Sequence, residues 1–194
     1  EFGTSTPDWV GGITNTFRYK NFDFSFLIDV KKGGIIYSAS TGKMLTNGMT
    51  SETLFGRDDY YIRKEIWGES DSELSGGAWF DAVYSDGTPA NKFMSPQSYA
   101  YCKPNYAEFT IYDASYVKLR ELTLGYTFPN QWMSKIKIQR LRLAFVGRNL
   151  WTIHKKTPQG FDPEASQTSG NGQGIENGSL PPNAVYGFDI KLTF

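Results

Sequence analysis

Polar and apolar side chains alternate one by one in several segments of this chain, and this alternation limits its fold more than any other feature. The contrast is strongest in residues 22–31, where every even position is aromatic or aliphatic and the odd positions are mostly polar or charged. A period of two residues is that of a β-strand, whose successive side chains point to opposite faces. The alternation therefore predicts strands with one apolar and one polar face.

The same period recurs along the chain, and the connections between the periodic segments alternate short, long, short, long. Short turns at one end and long loops at the other are typical of outer-membrane barrels, and about nine to ten residues of strand cross the apolar layer at a tilt. The sequence predicts an all-β antiparallel meander with two long extracellular loops. The predicted strands lie near 10–20, 22–32, 112–128, 138–152 and 184–194, and the predicted long loops near 33–111 and 153–183.

Composition excludes several classes of protein. The 20 basic and 20 acidic side chains give a formal net charge of zero, which argues against a nucleic-acid-binding protein. The sequence contains no run of about 18 apolar residues, so it predicts no transmembrane helix. The mean hydropathy of -0.44 is compatible with transmembrane strands, since only alternate positions in them are apolar. The N-terminal residues show no signal-peptide pattern, so we expect an export signal upstream in a longer chain.

One face of each predicted strand is consistently apolar, and we expect it to contact lipid. The alternation also places Lys118 and Arg120 on this face, which predicts that the apolar layer ends there. The opposite face carries charges that we expect to pair mainly with one another across strands. The residues expected to face lipid are Phe22, Phe24, Phe26, Ile28, Leu122, Leu124, Tyr126, Leu141, Leu143, Phe145, Tyr186, Phe188, Ile190 and Leu192. The opposite face is expected to carry Thr14, Arg18, Asp23, Asp29, Glu121, Arg140, Arg142, Arg148, Asp189 and Lys191.

The last predicted strand has the pattern of a barrel-assembly signal. Outer-membrane barrels commonly end in an aromatic residue preceded by apolar residues at alternate positions, and the assembly machinery recognises such a strand by pairing with its edge. An ordinary amphipathic strand of a soluble sandwich is the alternative. The candidate signal comprises Tyr186, Phe188, Ile190, Leu192 and Phe194.

The first long loop is rich in aromatic residues. Exposed rings can stack on sugar faces, and loops often carry binding residues, so Trp79, Phe80 and Tyr84 are candidates for contact with a solute or a lid protein. Packing of these rings within the loop is the more frequent outcome in proteins.

We find no catalytic, metal-binding or cofactor-binding set in the sequence. The single histidine, His154, has no Ser or Cys nucleophile at a recognisable spacing and no histidine partner for a metal ion. The single cysteine, Cys102, excludes an intrachain disulfide and a cysteine-based metal cluster. We therefore expect no enzyme activity and no cofactor.

Several motifs resemble those of SusC/RagA-type TonB-dependent outer-membrane transporters. The matching stretches are residues 7–15 (PDWVGGITN), 113–126 (DASYVKLRELTLGY), 147–150 (GRNL), 162–164 (DPE) and the closing strand, residues 182–194. They follow the family's order along nearly the whole chain, although residues 38–107 contain no matching motif. The stretch 113–126 is the most specific of them.

The resemblance implies that this chain is the C-terminal part of a 22-strand barrel. In that family an N-terminal plug fills the barrel, a SusD-like surface lipoprotein covers it, and TonB supplies energy for importing large solutes, commonly oligosaccharides and in some members peptides. The expected partners are therefore the remaining barrel and its plug, the SusD-like lipoprotein, TonB through the absent N-terminal part, the barrel-assembly machinery and outer-membrane lipid. A secreted, soluble all-β carbohydrate-binding module remains the alternative, because alternation and aromatic residues suit a sandwich equally well.

Overall fold

The computed structural model describes residues 2–58, 78–80, 83–90, 92–158, 160–166 and 170–194. The chain divides into two compact units. The first unit comprises Glu1–Ile36, Tyr112–Gly174 and Ser179–Phe194, and the second comprises Tyr37–Ile111 and Ile175–Gly178.

Long antiparallel strands dominate the first unit. Five of them form one sheet in which the strands follow their order along the chain and every neighbouring pair is antiparallel. The predicted all-β antiparallel meander is therefore confirmed. The strands of this sheet are β1 (Trp9–Tyr19), β2 (Phe22–Lys32), β7 (Tyr116–Thr127), β8 (Arg140–Lys155) and β10 (Val185–Thr193).

Two short connections join strands at one end of the sheet, which we call the short-turn end. Lys20 and Asn21 connect β1 to β2, and Lys20 adopts the left-handed backbone conformation that a tight turn requires (φ 53°). The connection from β7 to β8 contains the short helix α3 (Asn130–Met133) and a 3₁₀ turn (Ser134–Ile136).

A β-bulge at Arg120 corrects one prediction. Leu119 and Glu121 of β7 lie opposite Ile28 and Leu27 of β2, so Arg120 is an extra residue in the ladder. The bulge reverses the alternation on its N-terminal side. Lys118 therefore lies opposite Asp29, on the polar face. The prediction that Lys118 and Arg120 lie on the apolar face is wrong, because it assumed an unbroken period of two.

The registers confirm that the other predicted apolar residues share one face. Residues directly opposite each other across a ladder lie on the same face of a sheet. Phe24 pairs with Leu124, Leu124 with Phe145, and Phe145 with Phe188, so one row of apolar side chains crosses four strands. None of the 14 predicted residues is buried.

The second unit contains short elements. Its helices begin at serine caps: Ser38 Oγ accepts from Thr41 N (3.0 Å), and Ser95 Oγ accepts from Ser98 N (3.1 Å). The buried Glu176 accepts hydrogen bonds from Ser38 and Ser40. The short elements of the two units are β3 (Ile35–Ser38), α1 (Ala39–Thr46), β4 (Ala78–Phe80), β5 (Lys92–Met94), α2 (Pro96–Cys102), β6 (Ile111–Asp113), β9 (Ile175–Glu176) and 3₁₀ turns at Ser51–Leu54, Lys103–Asn105, Ala107–Phe109 and Gly170–Gly172.

Among the residues that the structure describes, no helix is both long enough and apolar enough to cross a membrane.

The isolated chain should self-associate in buffer without detergent. β1 and β10 are the edge strands of the sheet, and edge strands that also carry an exposed apolar face pair readily with other chains. Size-exclusion chromatography with light scattering should show oligomers that detergent micelles disperse. A protease-resistant monomer without detergent would contradict this expectation.

Candidate functional site

The polar face of the five-stranded sheet carries a group of charges where β2 and β7 meet the second long loop. We call this group the loop-end cluster and define it as Asp29, Tyr116, Lys118, Arg120, Asp162 and Glu164. The bulge at Arg120 allows the cluster to form, because it brings Lys118 onto the same face as Asp29.

Lys118 is the buried cation of the loop-end cluster, with only 4% of its surface exposed. Its Nζ donates to Asp162 Oδ1 at 2.8 Å and to Glu164 Oε2 at 2.6 Å. A buried ammonium group is tolerated only when it is paired and hydrogen-bonded. The carboxylates of Asp162 and Glu164 provide these partners, so their ion pairs with Lys118 attach the second long loop to β7.

Arg120 and Tyr116 complete the cluster. Arg120 Nε donates to Asp29 Oδ2 at 2.8 Å, and its Nη2 donates to Glu164 Oε1. The Tyr116 hydroxyl donates to the same Glu164 oxygen at 2.7 Å. Glu164 thus accepts hydrogen bonds from three side chains of β7.

The environment of Glu164 keeps its carboxyl group ionised. Burial alone would raise its pKa, but the hydrogen bonds from Arg120, Lys118 and Tyr116 outweigh burial and lower the pKa to about 2. The backbone N–H of Glu164 also donates to Asp162 Oδ1 at 2.8 Å, which folds the segment 162–164 into a tight turn. Both carboxylates of this segment therefore point to β7.

A second ion-paired group lies nearer the short-turn end. Arg142 Nε donates to Asp23 Oδ1 at 3.0 Å, and its Nη1 lies 3.2 Å from Asp189 Oδ1. Gly125 of β7 lies beneath this group, and a Cβ atom there would be 2.5 Å from Asp23 Oδ1 and from Arg142 Nη2. The absence of a side chain at Gly125 therefore lets the pair close across the strand.

Residues 147–150 likewise combine a paired charge with a glycine that leaves room for a neighbouring side chain. Arg148 pairs with Glu121 across the strands at 3.1 Å, and Asn149 Oδ1 accepts a hydrogen bond from Arg120. Asn149 has a positive φ of 50°, a conformation that asparagine tolerates better than most residues. A Cβ atom on Gly147 would be 2.7 Å from Leu150 Cδ2, so glycine leaves room for Leu150.

The predicted pairing of charges across strands is confirmed for the residues just described. Asp23, Asp29 and Glu121 each pair with an arginine, and Asp189 shares Arg142 with Asp23. Sequence reasoning missed the roles of Lys118 and Arg120. The missed signal was a change of parity in β7, where apolar residues occupy the odd positions 117 and 119 and then the even positions 122 and 124.

The predicted assembly-signal residues lie on or next to β10. Tyr186, Phe188, Ile190 and Leu192 point to the apolar face, and Phe188 is the most exposed of them at 82%. Phe194 directly follows the strand and is also exposed.

Of the predicted solute-contact residues, the structure describes the side chain of Tyr84. Tyr84 is exposed in the turn 84–88, whose Gly87 N–H donates to Tyr84 O at 2.9 Å. The backbone of Trp79 and Phe80 belongs to β4, and their side chains lie outside the described residues.

Within the described ranges, no group of three or more His, Cys, Asp or Glu side chains is placed to hold a metal ion. The carboxylates of the loop-end cluster are instead occupied by cations of the same chain. The loop-end cluster therefore has a structural role, because its ion pairs attach the second long loop to β7.

An antiparallel meander with one exposed apolar face and one face of paired charges is the arrangement of a membrane-barrel wall.

No family model matches the chain. Two TonB-dependent receptors of Formosa agariphila, P3 and P26, are each 27% identical to this chain over 99% of its length. A third, P39, is 25% identical over 84% of the chain. The chain spans only 14–17% of the length of these curated relatives.

Solved structures of the RagAB peptide importer share the fold. The chain in the closed-closed state superposes with a TM-score of 0.63 at 19% identity, over 98% of this chain and 18% of that chain. The open-open state gives a TM-score of 0.57 at 21% identity, over 98% and 17% respectively. The matches confirm the predicted resemblance to TonB-dependent transporters of the SusC/RagA type, over nearly the whole chain.

Replacing Lys118 by alanine should strongly destabilise the protein. The substitution leaves Asp162 and Glu164 without the cation they share, and breaking a buried ion pair costs about 3–5 kcal/mol. The matched control is Lys156→Ala, because Lys156 pairs with Asp113 at the surface, where an ion pair contributes about 0–1 kcal/mol. The measurement is the temperature at which the folded full-length protein loses its heat-modifiable mobility on a gel. Equal shifts for both variants would show that the buried pairs of Lys118 contribute no more to stability than the surface pair of Lys156.

Proposed function

We propose that this chain forms part of the barrel wall of a TonB-dependent outer-membrane transporter that imports large solutes. Its apolar face contacts lipid, and its polar face lines the interior of the barrel. The observation that carries the proposal is the separation of the two faces. Fourteen apolar residues on one face are all at least partly exposed, whereas the ion pairs between strands lie on the other.

The distance between two aromatic residues of β1 suits the thickness of an apolar layer. Trp9 and Tyr19 lie at opposite ends of the strand, on the apolar face, and both are exposed. Ten steps of about 3.3 Å give roughly 33 Å along the strand. A tilt of about 40° reduces this span to roughly 25 Å, which is about the height of the apolar band in such barrels. Aromatic residues at both borders are typical of membrane interfaces.

The loop-end cluster supports a transport role for the second long loop. Loops usually move more than the strands they join. A loop at the mouth of a barrel, however, must keep its position while solute and partner proteins move past it. The paired charges of Asp162 and Glu164 attach this loop to β7. We therefore assign to the cluster the task of fixing the mouth of the barrel.

The imported solute is an oligosaccharide or a peptide, and a SusD-like lipoprotein covers the barrel. The peptide alternative is supported by the fold shared with the RagAB peptide importer. Exposed tyrosines of the second unit, Tyr84, Tyr101 and Tyr106, offer rings for contact with the solute or the lid, as Trp79 and Phe80 would. The plug and TonB act through parts of the protein outside this chain.

A soluble carbohydrate-binding module is the rival function. It would pack the apolar face of the sheet against a second sheet. In the described residues this face stays open, and Phe188, Tyr186 and Ile190 are each more than 60% exposed. The open face favours a lipid environment over a closed sandwich.

Two neighbouring cysteine substitutions test the proposal. Phe188→Cys lies on the apolar face and Gly187→Cys on the polar face of β10, and a Cβ atom at Gly187 meets no other atom within 4 Å. Each is made in the full-length protein carrying Cys102→Ser, spin-labelled, and reconstituted into liposomes. We expect the label at 188 to be relaxed mainly by oxygen, which concentrates in lipid, and the label at 187 mainly by a water-soluble nickel complex.

The outcome that would contradict the proposal is equal access of the nickel complex to both labels, as in a water-exposed strand. Retention of the full-length protein in buffer without detergent would point to the soluble module instead.

We also propose that β10 is the strand by which the barrel-assembly machinery recognises the protein. β10 is an edge strand of the five-stranded sheet, and its apolar residues alternate up to Phe194. An edge strand can be read by strand addition, in which main-chain hydrogen bonds provide affinity and alternate side chains provide specificity.

Replacing Phe194 by serine should lower the amount of folded protein in the outer membrane several-fold. The control is Leu180→Ser, because Leu180 is an exposed apolar residue in the loop before β10 and is not part of the strand pattern. Heat-modifiable protein is measured on gels of outer-membrane fractions. Normal amounts of the folded Phe194→Ser variant would show that the ring has no part in assembly.

A further inference from the structure

A cleft of about 690 Å³ lies on the polar face at the short-turn end of the sheet, and its lining is strongly basic. Side chains from β1, β8, β10 and the turn between β1 and β2 supply its cations. They are Arg18, Lys20, Arg140, Arg142 and Lys191. The neutral polar residues Asn21, Thr127 and Thr193 also line the cleft.

Most of this positive charge is not neutralised. Arg142 is paired with Asp23 and Asp189. Among the described residues, none of the other four cations forms an ion pair with a carboxylate, and all four are exposed. The lining contains five cations and one carboxylate, Asp23, and Asp189 beside the cleft also pairs with Arg142, so three positive charges remain in excess. Like charges held together repel one another, and an anionic ligand relieves that repulsion.

The spacing of the cations favours an extended ligand. Arg18 lies on β1 and Lys191 on β10, with three strands between them in the sheet. Strands in a sheet are about 4.8 Å apart, so the cations are distributed over roughly 15–20 Å. One small anion cannot contact them all, whereas a chain carrying several anionic groups can.

We infer that this basic cleft binds a solute bearing several carboxylate, phosphate or sulfate groups. Arginine donates two parallel hydrogen bonds to such groups, and lysine adds a point charge. The asparagine and threonine side chains offer further neutral donors. The inference rests on the proposed function, in which the polar face lines the path of the solute. It restricts the imported solute to polyanions.

The test uses the full-length protein purified in detergent micelles, with tetraglutamate and tetraglutamine as probes of nearly equal size. The double variant Arg18→Gln, Arg140→Gln removes two cations of the cleft. The control is Lys135→Gln, Lys137→Gln, which removes two exposed cations from the neighbouring β7–β8 connection that do not line the cleft. Heat-modifiable mobility establishes that each variant is folded, and calorimetry measures binding.

We expect tetraglutamate, but not tetraglutamine, to bind the unmodified protein and the control variant. The double variant should bind tetraglutamate about tenfold or more weakly, because two charge-assisted contacts are lost. Raising the ionic strength from about 0.05 M to about 0.2 M should weaken binding to the unmodified protein. Equal affinity for both peptides, or unchanged tetraglutamate affinity in the double variant, would overturn the inference. Neither result bears on the spin-label test of the barrel wall, so the two proposals can fail separately.

Discussion

The loop-end ion pairs depend on one local distortion, the bulge at Arg120. A wall strand must present apolar side chains to one side over its whole length, so every charge that it carries has to reach the other side. The extra residue moves Lys118 to the polar face while Val117 and Leu119 take the apolar positions. Because two cations then meet Asp29, Asp162 and Glu164, the same distortion attaches a loop to the strand.

Small residues in the matching motifs perform a related task. Gly125 leaves space in which Arg142 and Asp23 meet across β7, and Gly147 leaves space for Leu150 next to the positive φ of Asn149. At both sites a methyl group would occupy the position of another side chain. The glycines of stretches 113–126 and 147–150 therefore leave the space that the neighbouring charged and apolar side chains need. This dependence of one residue on another explains in physical terms why such motifs are specific.

Much of the sheet could be predicted from the sequence, because the period of two in residues 22–31 and 185–193 assigns each side chain to a face directly. The loop-end cluster could not be predicted, since Asp162 and Glu164 are more than 40 residues from their partners in β7. The bulge was predictable in principle from the change of parity at Arg120. The helices and short strands of the second unit lack any long periodic run, so the sequence predicted only a long loop there.

Charge is distributed unequally along the polar face, and this inequality has a consequence for solutes. At the loop end, the carboxylates of Asp29, Asp162 and Glu164 are matched by the cations of Lys118, Arg120 and the neighbouring Lys155. At the short-turn end, cations exceed carboxylates by three. In a narrow, partly dehydrated passage the screening by salt is weaker than in bulk water, so this difference acts over the length of a strand. Under the proposed function, the unpaired cations of the basic cleft therefore attract an anionic solute, whereas the carboxylate of Glu164 is already paired with Lys118 and Arg120.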